Sequence, residues 1–450
     1  MSRMFGTDGV RGVANLELTA ELAMDLGKAG ALVLAENSET PLFVIGRDTR
    51  CSGEMLENAL TAGILSTGGN VIKAGVMPTP GIACLTQQYG ADAGIVISAS
   101  HNPFEFNGIK FFNSKGFKLD DALEDKIEAL IKEGSSQAPE GERIGRIIEP
   151  SEDPVEKYRE HLQEIFDGSL SGIKVVLDCA NGAACTVAEP LFSGLGAEVV
   201  TIGCEPDGIN INDGVGSTHP ELLAEKVVEE GADVGLAFDG VADWLIAVDE
   251  KGRLIDGDRL ISIFEKYMKE KGTLAGNRVT VTVMSNIGFH RRARELDVEV
   301  DITDVGDRYV LESMLKTGSV LGGEQSGHII LLDYSTTGDG MLAGLQLLQA
   351  LTYYEIPLSE LSEEMIIYPQ VLINARVKNE NKDKWKDDQE IQDAITEVEK
   401  KVTSNGRSGR VLIRKSGTEP LVRVMIEGEE EDEIRLFAQS LADLIQSRLA

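Results

Sequence analysis

The chain has 450 residues and a formal net charge of −32, with 75 acidic and 43 basic side chains. Because this length exceeds what one hydrophobic core usually serves, it predicts several domains. So acidic a protein is poorly suited to follow nucleic-acid phosphates, which argues against a nucleic-acid partner. The N-terminal stretch MSRMFGTDGVRG lacks the apolar core of a signal peptide. No apolar run approaches the roughly 18 residues of a membrane span, so we expect no membrane contact.

The cysteines indicate the compartment. The chain has five, at positions 51, 84, 179, 185 and 204, and they form no CxxC pair. Any scheme of disulfide bridges leaves one of them over, and they are diluted along a long chain. This pattern is typical of a reducing cytosol, so we expect a cytoplasmic protein.

The first predicted element is a helix over LTAELAMDLGKAGALVL. Thr19 is placed to cap its N-terminus. Leu22, Leu26, Ala29 and Val33 follow at helical spacing on one face, which we interpret as a core-facing stripe.

Three later segments repeat one pattern: a β-rich apolar run, a polar or glycine-containing turn, a helical stretch and a second β-rich run. They read LFVIGRDTRCSGEMLENALTAGILSTGGNVIKAG, IKVVLDCANGAACTVAEPLFSGLGAEVVTIG and VTVTVMSNIGFHRRARELDVEVDITD. Each is a predicted βαβ unit, and the repetition predicts three similar α/β domains.

After about residue 367 the pattern changes to strands and amphipathic helices in a smaller α+β arrangement. QVLINARV, GRVLIRKSG and LVRVMIEG are predicted strands, while DDQEIQDAITEVEKKV and EDEIRLFAQSLADLIQSRL are predicted helices. The predicted domains therefore cover residues 1–150, 151–253, 254–366 and 367–450.

A polar turn follows the buried-looking strand in AGIVISASHNPFEFNGIKFF. It exposes Ser98, Ser100, His101 and Asn102 where α/β sheets usually bind ligands. These residue types are also common in ordinary turns, so a plain turn stays open. A Ser-His-Asp hydrolase is disfavoured because no GxSxG motif surrounds the serine.

The segment AFDGVADW places Asp239 and Asp243 in one loop after a second strand. Hard oxygen ligands close together at a strand end suit Mg²⁺ when a phosphate completes the shell. Since Asp-Gly is also a frequent turn pair, the two carboxylates alone do not decide between a cation site and a turn.

Two further loops carry polar groups. GGEQSGH offers Glu324, Ser326 and His328, which suit the hydroxyls of a sugar ring, although a flexible surface turn is the alternative. RKSGTEPLVR is a dense set of donors for a phosphate, and such a cluster is informative in so acidic a chain. Its donors are Arg414, Lys415, Ser416, Thr418, Arg423 and the amides around Gly417. One phosphosugar could contact all four loops.

The whole chain resembles the α-D-phosphohexomutases. The motifs that carry this resemblance are, in order, FGTDGVRG, GRDTR, SASHNP, NGIKFF, DCANGA, GSTHPE, VGDRYV, GGEQSGH and RKSGTEP. The resemblance implies three α/β domains and a smaller C-terminal α+β domain around a central cleft. It also implies an isomerase that moves a phosphoryl group between the 1- and 6-positions of a hexose through a phosphoserine and a bisphosphate intermediate.

The resemblance further implies a role for each site residue. Ser100 matches the phosphoserine, and Arg11, Lys110 and His101 match groups around it. Asp239, Asp243 and Ser100 match ligands of one Mg²⁺. Glu324 and Ser326 match contacts to the sugar hydroxyls, and His328 matches an acid–base partner. The clamp on the distal phosphate matches Arg414, Ser416, Gly417, Thr418 and Arg423.

One loop departs from the family pattern. The family reads Asp-Gly-Asp-x-Asp-Arg, whereas this chain has Val241 at the middle aspartate and Trp244 at the arginine. We therefore expect weakened Mg²⁺ binding and reduced activity, with little cost in stability.

Within this resemblance, the motif GEQSGH favours interconversion of glucosamine 6-phosphate and glucosamine 1-phosphate. Glucosamine 1,6-bisphosphate or another hexose bisphosphate is the expected activator. The expected partner is thus a hexosamine phosphate, bound by a monomer or homodimer. A phosphomannomutase or phosphoglucomutase, and a phosphosugar-binding relative without catalysis, remain alternatives.

Overall fold

The computed structural model describes residues 3–6, 8–36, 38–134, 139–416 and 419–450, with the backbone alone at Asn405. The chain divides into two compact units. The first contains Met1–Met284 and Val298–Glu363, and the second contains Ser285–Asp297 and Glu364–Ala450. The four predicted domain boundaries stay predictions. Within the described ranges, no helix combines the length and apolar character needed to cross a membrane.

The first α/β sheet has five strands in the order β1-β5-β4-β2-β3. Its strands are β1 (Val10–Val13), β2 (Leu42–Arg47), β3 (Asn70–Val76), β4 (Ala93–Ile97) and β5 (Phe106–Asn113). Its helices are α1 (Ala20–Leu34), α2 (Gly53–Ser66), α3 (Thr79–Gln88) and α4 (Asp121–Glu133). Strand β2 runs parallel to β3 and β4, whereas β5 is antiparallel to β1 and β4. All five residues of β4 are buried, as expected for a central strand.

The second α/β sheet has the order β10-β9-β8-β6-β7. Its strands are β6 (Lys174–Asp178), β7 (Glu198–Ile202), β8 (Val234–Phe238), β9 (Leu245–Asp249) and β10 (Leu254–Ile255). Its helices are α5 (Pro154–Ile165), α6 (Ala188–Gly194) and α7 (Glu221–Glu230). Strand β6 is parallel to β7 and β8, and β9 is antiparallel to β8. Strand β8, which leads into the FDGVADW loop, is buried along its whole length.

The third α/β sheet has four strands in the order β12-β11-β13-β14. Its strands are β11 (Arg278–Thr282), β12 (Glu299–Thr303), β13 (Leu321–Gly323) and β14 (Ile329–Leu331). The helices along this part of the chain are α8 (Gly257–Lys271), α9 (Ile287–Glu295), α10 (Asp307–Thr317), α11 (Gly340–Tyr354) and α12 (Leu358–Ser362). Strand β11 is parallel to β12 and β13.

Helix α9 departs from the simple repeat, because it belongs to the second compact unit although β11 and β12 belong to the first. Asn286 Nδ2 donates to the carbonyl oxygen of Tyr368 at 2.9 Å, and Arg292 forms an ion pair with Glu364. Arg410 Nη2 donates to the carbonyl oxygen of Ser285 at 2.9 Å. These contacts explain why a helix inside the third βαβ unit is counted with the C-terminal part of the chain.

The C-terminal sheet is fully antiparallel, in the order β15-β17-β16. Its elements are β15 (Gln370–Arg376), α13 (Gln389–Val402), β16 (Arg410–Lys415), β17 (Leu421–Glu427) and α14 (Glu431–Leu449). Helix α13 buries Ile391, Ile395, Val398 and Val402, which recur at helical spacing. The predicted fold class, three α/β domains followed by a smaller α+β domain, is confirmed.

The N-terminal cap of α1 gives a testable prediction about stability. Thr19 caps α1, and its side-chain oxygen accepts a hydrogen bond from the Leu22 N–H at 3.2 Å. We expect Thr19→Ala to lower the free energy of unfolding by about 1 kcal/mol, because an N–H of the first turn loses its acceptor. Chemical denaturation would measure the loss, with Thr19→Ser as the matched control that keeps a hydroxyl. Equal stability of the two variants would show that the cap contributes nothing.

Candidate active site

The turn after β4 holds Ser100 in an uncommon conformation. Ser100 is buried and has a φ of 53°, in the left-handed region that residues other than glycine seldom adopt. Its N–H donates to Ser98 Oγ at 2.9 Å, and Ser98 Oγ in turn donates to Asp48 Oδ2 at 2.5 Å. A strained backbone conformation of this kind persists only when several surrounding contacts hold it in place. Such conformations are most frequent at functional sites.

Arg50 makes several of the contacts that hold the Ser100 turn in this conformation. Its guanidinium forms a fully buried ion pair with Asp48 at 2.8 Å. Its Nη2 also donates to the carbonyl oxygens of Ser100 and Asn102, both at 2.8 Å. Asn212 Nδ2 adds a hydrogen bond to the Ser100 carbonyl oxygen at 3.0 Å.

None of these three supporting residues, Asp48, Arg50 and Asn212, was predicted as a site residue. Asp48 and Arg50 lie in GRDTR, directly after β2, at the same sheet edge as Ser100. The position of a polar turn after a buried strand, which identified Ser100, would have found them too. Asn212 has no comparable local signal.

The FDGVADW loop, which carries the two carboxylates, contacts Ser100 through Asp239. Ser100 Oγ donates to Asp239 Oδ2 at 2.5 Å, and the Asp243 N–H donates to Asp239 Oδ1 at 3.2 Å. A Cβ on Gly240 would lie 2.7 Å from the Ser100 carbonyl oxygen, so this close approach requires glycine. The structure thus joins the serine turn to the carboxylate loop.

The carboxylate pair carries unfavourable electrostatics. Asp239 and Asp243 are both buried, and Asp243 Oδ1 has no hydrogen-bond partner among the described residues. Burial, followed by the charge of Asp243, raises the pKa of Asp239 to about 8. Two buried carboxylates that repel each other are stabilised when a cation lies between them.

These residues fit a divalent cation such as Mg²⁺, with fewer protein ligands than the family pattern provides. Asp239, Asp243 and an oxygen on Ser100 offer hard ligands, and Mg²⁺ commonly keeps several waters. Val241 is fully buried and contributes no oxygen. A cation bound at this loop would therefore have two carboxylates among its protein ligands.

Trp244 also affects the surroundings of Ser100. Its ring lies against His101, with centroids 4.9 Å apart and planes tilted by 37°. A ring nitrogen of His101 lies 3.5 Å from Ser100 Oγ. Partial desolvation of His101, together with the charge of Arg11, lowers the pKa of the imidazole. His101 is therefore biased towards its neutral form.

Asp8 organises the cationic side chains beside this turn. It forms ion pairs at 2.7 Å with Lys110 and with Lys118, and a further ion pair with Arg11. Burial opposes ionisation of Asp8, yet the charges of Lys110, Lys118 and Arg11 hold its pKa well below the usual value. Arg11 Nη1 also contacts Asn102 Oδ1 at 3.4 Å. Asp8 therefore fixes the two predicted cations, Arg11 and Lys110, near Ser100.

The same network continues to the third α/β domain. Lys118 forms an ion pair with Asp307, whose Oδ2 lies 3.8 Å from His328 Nε2. Lys118 and Asp307 were not predicted as site residues. Asp307 lies in VGDRYV, one of the family motifs, whereas the residues around Lys118 gave no signal.

The sugar-binding turn that was predicted from GGEQSGH follows β13. Glu324 Oε1 accepts a hydrogen bond from the Gly306 N–H at 3.0 Å, and Ser326 is half-buried on the same turn. His328 is buried, and within the described ranges neither of its ring nitrogens has a hydrogen-bond partner. An imidazole in this state can still donate to, or accept from, a polar ligand.

This turn is attached directly to the carboxylate loop. The Leu245 N–H donates to the Gly327 carbonyl oxygen at 2.9 Å, and Trp244 forms a β-bridge with His328. A Cβ on Gly338 would lie 2.5 Å from His328 Nε2 and 2.7 Å from the Asp243 carbonyl oxygen. Three of the predicted loops therefore meet within the first compact unit.

The predicted phosphate clamp lies in the second compact unit. Arg414 on β16 and Arg423 on β17 are directly opposite each other across the antiparallel pair. Arg423 also forms an ion pair with Glu419, at 3.6 Å. Ser416 is buried, and its carbonyl oxygen accepts from Lys382 Nζ at 3.0 Å. Gly417 and Thr418, which were also predicted here, lie outside the described residues.

Family models cover most of the chain in four consecutive parts. The phosphoglucomutase/phosphomannomutase alpha/beta/alpha domains I, II and III match residues 2–138, 156–252 and 256–368, and the C-terminal domain matches residues 372–444. The chain belongs to the phosphoglucomutase/phosphomannomutase family, the α-D-phosphohexomutases. The expected resemblance is therefore confirmed.

Full-length relatives are consistent with this membership. A phosphoglucosamine mutase of Acetivibrio thermocellus is 55% identical over 452 aligned residues, which cover 100% of both chains. A phosphoglucomutase/phosphomannomutase family protein of Burkholderia thailandensis superposes with a TM-score of 0.82 at 25% identity, over 100% of this chain and 99% of the other. An N-acetylphosphoglucosamine mutase of Aspergillus fumigatus, solved in complex with GlcNAc-6P and magnesium, shares the fold with a TM-score of 0.70 at 16% identity, over 99% and 96%. The chain is thus a phosphohexomutase and an isomerase.

The buried carboxyl of Asp239 predicts a pH effect. Its pKa in the folded protein is about 8, whereas an unfolded aspartate has a pKa of about 3.9. Between these values the unfolded chain has lost the proton that the folded protein keeps, so stability falls as pH rises. We expect the fall between about pH 5 and pH 8, in cation-free buffer, to shrink by at least about 1 kcal/mol in Asp239→Asn.

Urea denaturation at a series of pH values would measure this difference. The exposed Asp213→Asn is the matched control and should keep the pH dependence of the parent. The same pH dependence in Asp239→Asn and the parent would contradict the assignment of a protonated carboxyl at this position.

Proposed function

We propose that this phosphohexomutase interconverts glucosamine 6-phosphate and glucosamine 1-phosphate. The observation that carries the proposal is the strained, buried Ser100, whose Oγ lies 2.5 Å from a carboxylate of the cation loop. A hydroxyl held in this way is suited to carry a phosphoryl group beside a cation. The phosphoglucosamine mutase relatives, aligned over the full chain, support the choice of an amino sugar.

In this proposal Ser100 carries the phosphoryl group. Phosphoserine passes it to the free 1- or 6-hydroxyl of the sugar phosphate, which gives a hexose bisphosphate and an unmodified serine. After the bisphosphate turns over, its other phosphoryl group returns to Ser100 and the isomeric monophosphate leaves. A hexose bisphosphate, such as glucosamine 1,6-bisphosphate, would activate the protein by phosphorylating Ser100.

Positioning and charge neutralisation supply most of the catalysis in phosphoryl transfer. Arg11 and Lys110 are the cations that Asp8 fixes beside Ser100, and they can offset the charge that develops on the transferred group. The neutral bias of His101 suits a group that accepts a proton from the attacking hydroxyl. Asp239, Asp243 and a phosphoserine oxygen would hold Mg²⁺, which supplies further positive charge when bound.

Substrate recognition is assigned to two sets of residues. Glu324 and Ser326 would hydrogen-bond the sugar hydroxyls, and His328 would exchange a proton with the substrate. The phosphate would be bound by Arg414, Ser416, Gly417, Thr418 and Arg423. The opposed arginine pair on β16 and β17 is the described feature that supports this part of the proposal.

Activity would be reduced by Val241 and Trp244. The valine removes one carboxylate from the cation site, and the tryptophan places an uncharged ring against His101 where the family pattern has a cation.

We also propose a cytoplasmic location, because all five cysteines are free thiols. Whether the protein is a monomer or a homodimer remains a prediction.

The proposed reaction can be tested directly. With glucosamine 6-phosphate, Mg²⁺ and a hexose bisphosphate, phosphorus NMR should show formation of glucosamine 1-phosphate. Glucose and mannose 6-phosphates should turn over more slowly, judged by kcat/KM. Ser100→Ala should abolish turnover and the added mass of a single phosphate, whereas Ser193→Ala, an exposed helical serine, should keep both. Phosphate on another residue, or turnover in Ser100→Ala, would refute the assignment of Ser100.

The altered cation loop gives a second prediction. Loss of a partner in a buried charge pair commonly costs about 2 to 5 kcal/mol. A transition-state penalty of about 2 to 4 kcal/mol slows turnover by roughly 30- to 1,000-fold. We therefore expect Val241→Asp with Trp244→Arg to raise turnover by roughly that factor and to tighten Mg²⁺ binding measured by calorimetry.

Because Val241 is buried, the aspartate variant should also differ from the parent in melting temperature. A third buried carboxylate should lower the melting temperature without a cation, and Mg²⁺ should restore it. Val241→Asn with Trp244→Arg is the matched control, since asparagine has nearly the volume of aspartate but carries no carboxylate charge. Unchanged turnover and unchanged Mg²⁺ affinity in the aspartate variant would show that this loop is not a reduced cation site.

A further inference from the structure

Three cysteines meet at one edge of the second α/β sheet. Cys179 directly follows β6, and Cys204 lies just beyond the end of β7, the parallel neighbour of β6. Cys185 lies in a short 3₁₀ turn, Ala183–Thr186, between these strands. The parallel pairing therefore brings together thiols that are well separated in the sequence.

The three sulfur atoms have the spacing of metal ligands. All three Sγ atoms lie within 4.8 Å of one another. In a tetrahedral site with Zn–S bonds of about 2.3 Å, the sulfurs lie about 3.8 Å apart. Small side-chain movements would close that gap. In the part of the chain that the structure describes, no other group of three His, Cys, Asp or Glu has this spacing.

The cluster is open to a ligand from one side. Cys179 is fully buried and the other two cysteines are half-buried, so one side of the cluster is accessible. The other contacts of the sulfurs are long, at 3.6 Å from Cys185 Sγ to the Gly203 carbonyl oxygen and 3.9 Å from Cys204 Sγ to the Cys185 carbonyl oxygen.

We propose that Cys179, Cys185 and Cys204 bind one thiophilic divalent cation, of which Zn²⁺ is the representative. The thiols release their protons on binding, the three thiolate sulfurs ligate the ion, and water from the accessible side completes a tetrahedral shell. Soft sulfur ligands select against Mg²⁺, so this site is chemically separate from the hard oxygen site at Asp239 and Asp243.

The location gives the site a structural consequence. The loop that contains Cys185 also contacts the cation loop, because the Ala183 N–H donates to the Gly240 carbonyl oxygen at 2.9 Å. A cation held by the three sulfurs would link the ends of β6 and β7 to this turn. It would therefore stabilise the backbone on which the Gly240 loop rests.

Cobalt is the probe for this proposal. We expect the reduced, metal-free full-length protein to bind Co²⁺ with an intense near-ultraviolet absorption from sulfur-to-cobalt charge transfer, which carboxylate sites do not give. The titration should end at one Co²⁺ per chain, Zn²⁺ should displace the cobalt, and Zn²⁺ should raise the melting temperature. The same result is expected in Asp239→Asn, which separates this site from the proposed Mg²⁺ site.

Cysteine variants decide the assignment. Cys185→Ser and Cys204→Ser should each weaken Co²⁺ binding by at least about 10- to 100-fold, the loss that even an outer-shell partner can cause. Cys84→Ser, in α3 and outside the cluster, is the matched control and should bind like the parent. The proposal is wrong if the reduced parent shows no charge-transfer absorption, if Cys204→Ser binds like the parent, or if the cysteines only form a disulfide and take up no metal after reduction.

Discussion

Two carboxyl groups, those of Asp239 and Asp243, are buried in one loop, and the hydroxyl of Ser100 donates to Asp239; the chemistry of the site depends on this arrangement. Buried carboxylates are costly unless they are protonated, hydrogen-bonded or paired with a cation. Here the backbone N–H of Asp243 and the hydroxyl of Ser100 donate to the two oxygens of Asp239, whereas Asp243 Oδ1 accepts no hydrogen bond from the described residues. Burial and the neighbouring carboxylate of Asp243 therefore raise the pKa of Asp239, which makes this loop sensitive to pH.

The serine side of the site is held by a second set of buried charges. Arg50, neutralised by Asp48, directs its remaining donors to the backbone carbonyls of the turn and so offsets the strain of a left-handed serine. Asp8 plays the corresponding part for Arg11 and Lys110. In both cases an ion pair with a carboxylate fixes the cation, so this part of the geometry does not depend on a bound substrate. Such preorganisation is what phosphoryl transfer requires of a protein.

The FDGVADW loop is packed normally but lacks two charged side chains of the family pattern. Val241 packs as a buried apolar residue and Trp244 stacks against His101, so both substitutions are accommodated by local packing. Relative to the family pattern, both positions lack a charged side chain. The phosphohexomutase architecture is kept at this loop, and the reduced activity that we propose concerns the charges alone.

The sequence by itself determined the elements and the family. The capped helix α1, the three βαβ repeats and the heptad-like stripe of α13 follow from local periodicity, and the loop motifs identify Ser100, Asp239 and His328 as candidates. The tertiary structure alone decided that α9 joins the C-terminal unit, that Lys118 and Asp307 extend the network of Asp8, and that three distant cysteines converge. These contacts join parts of the chain that are far apart in the sequence. Periodicity reports which face of an element is buried, whereas the identity of the partner depends on how the elements pack.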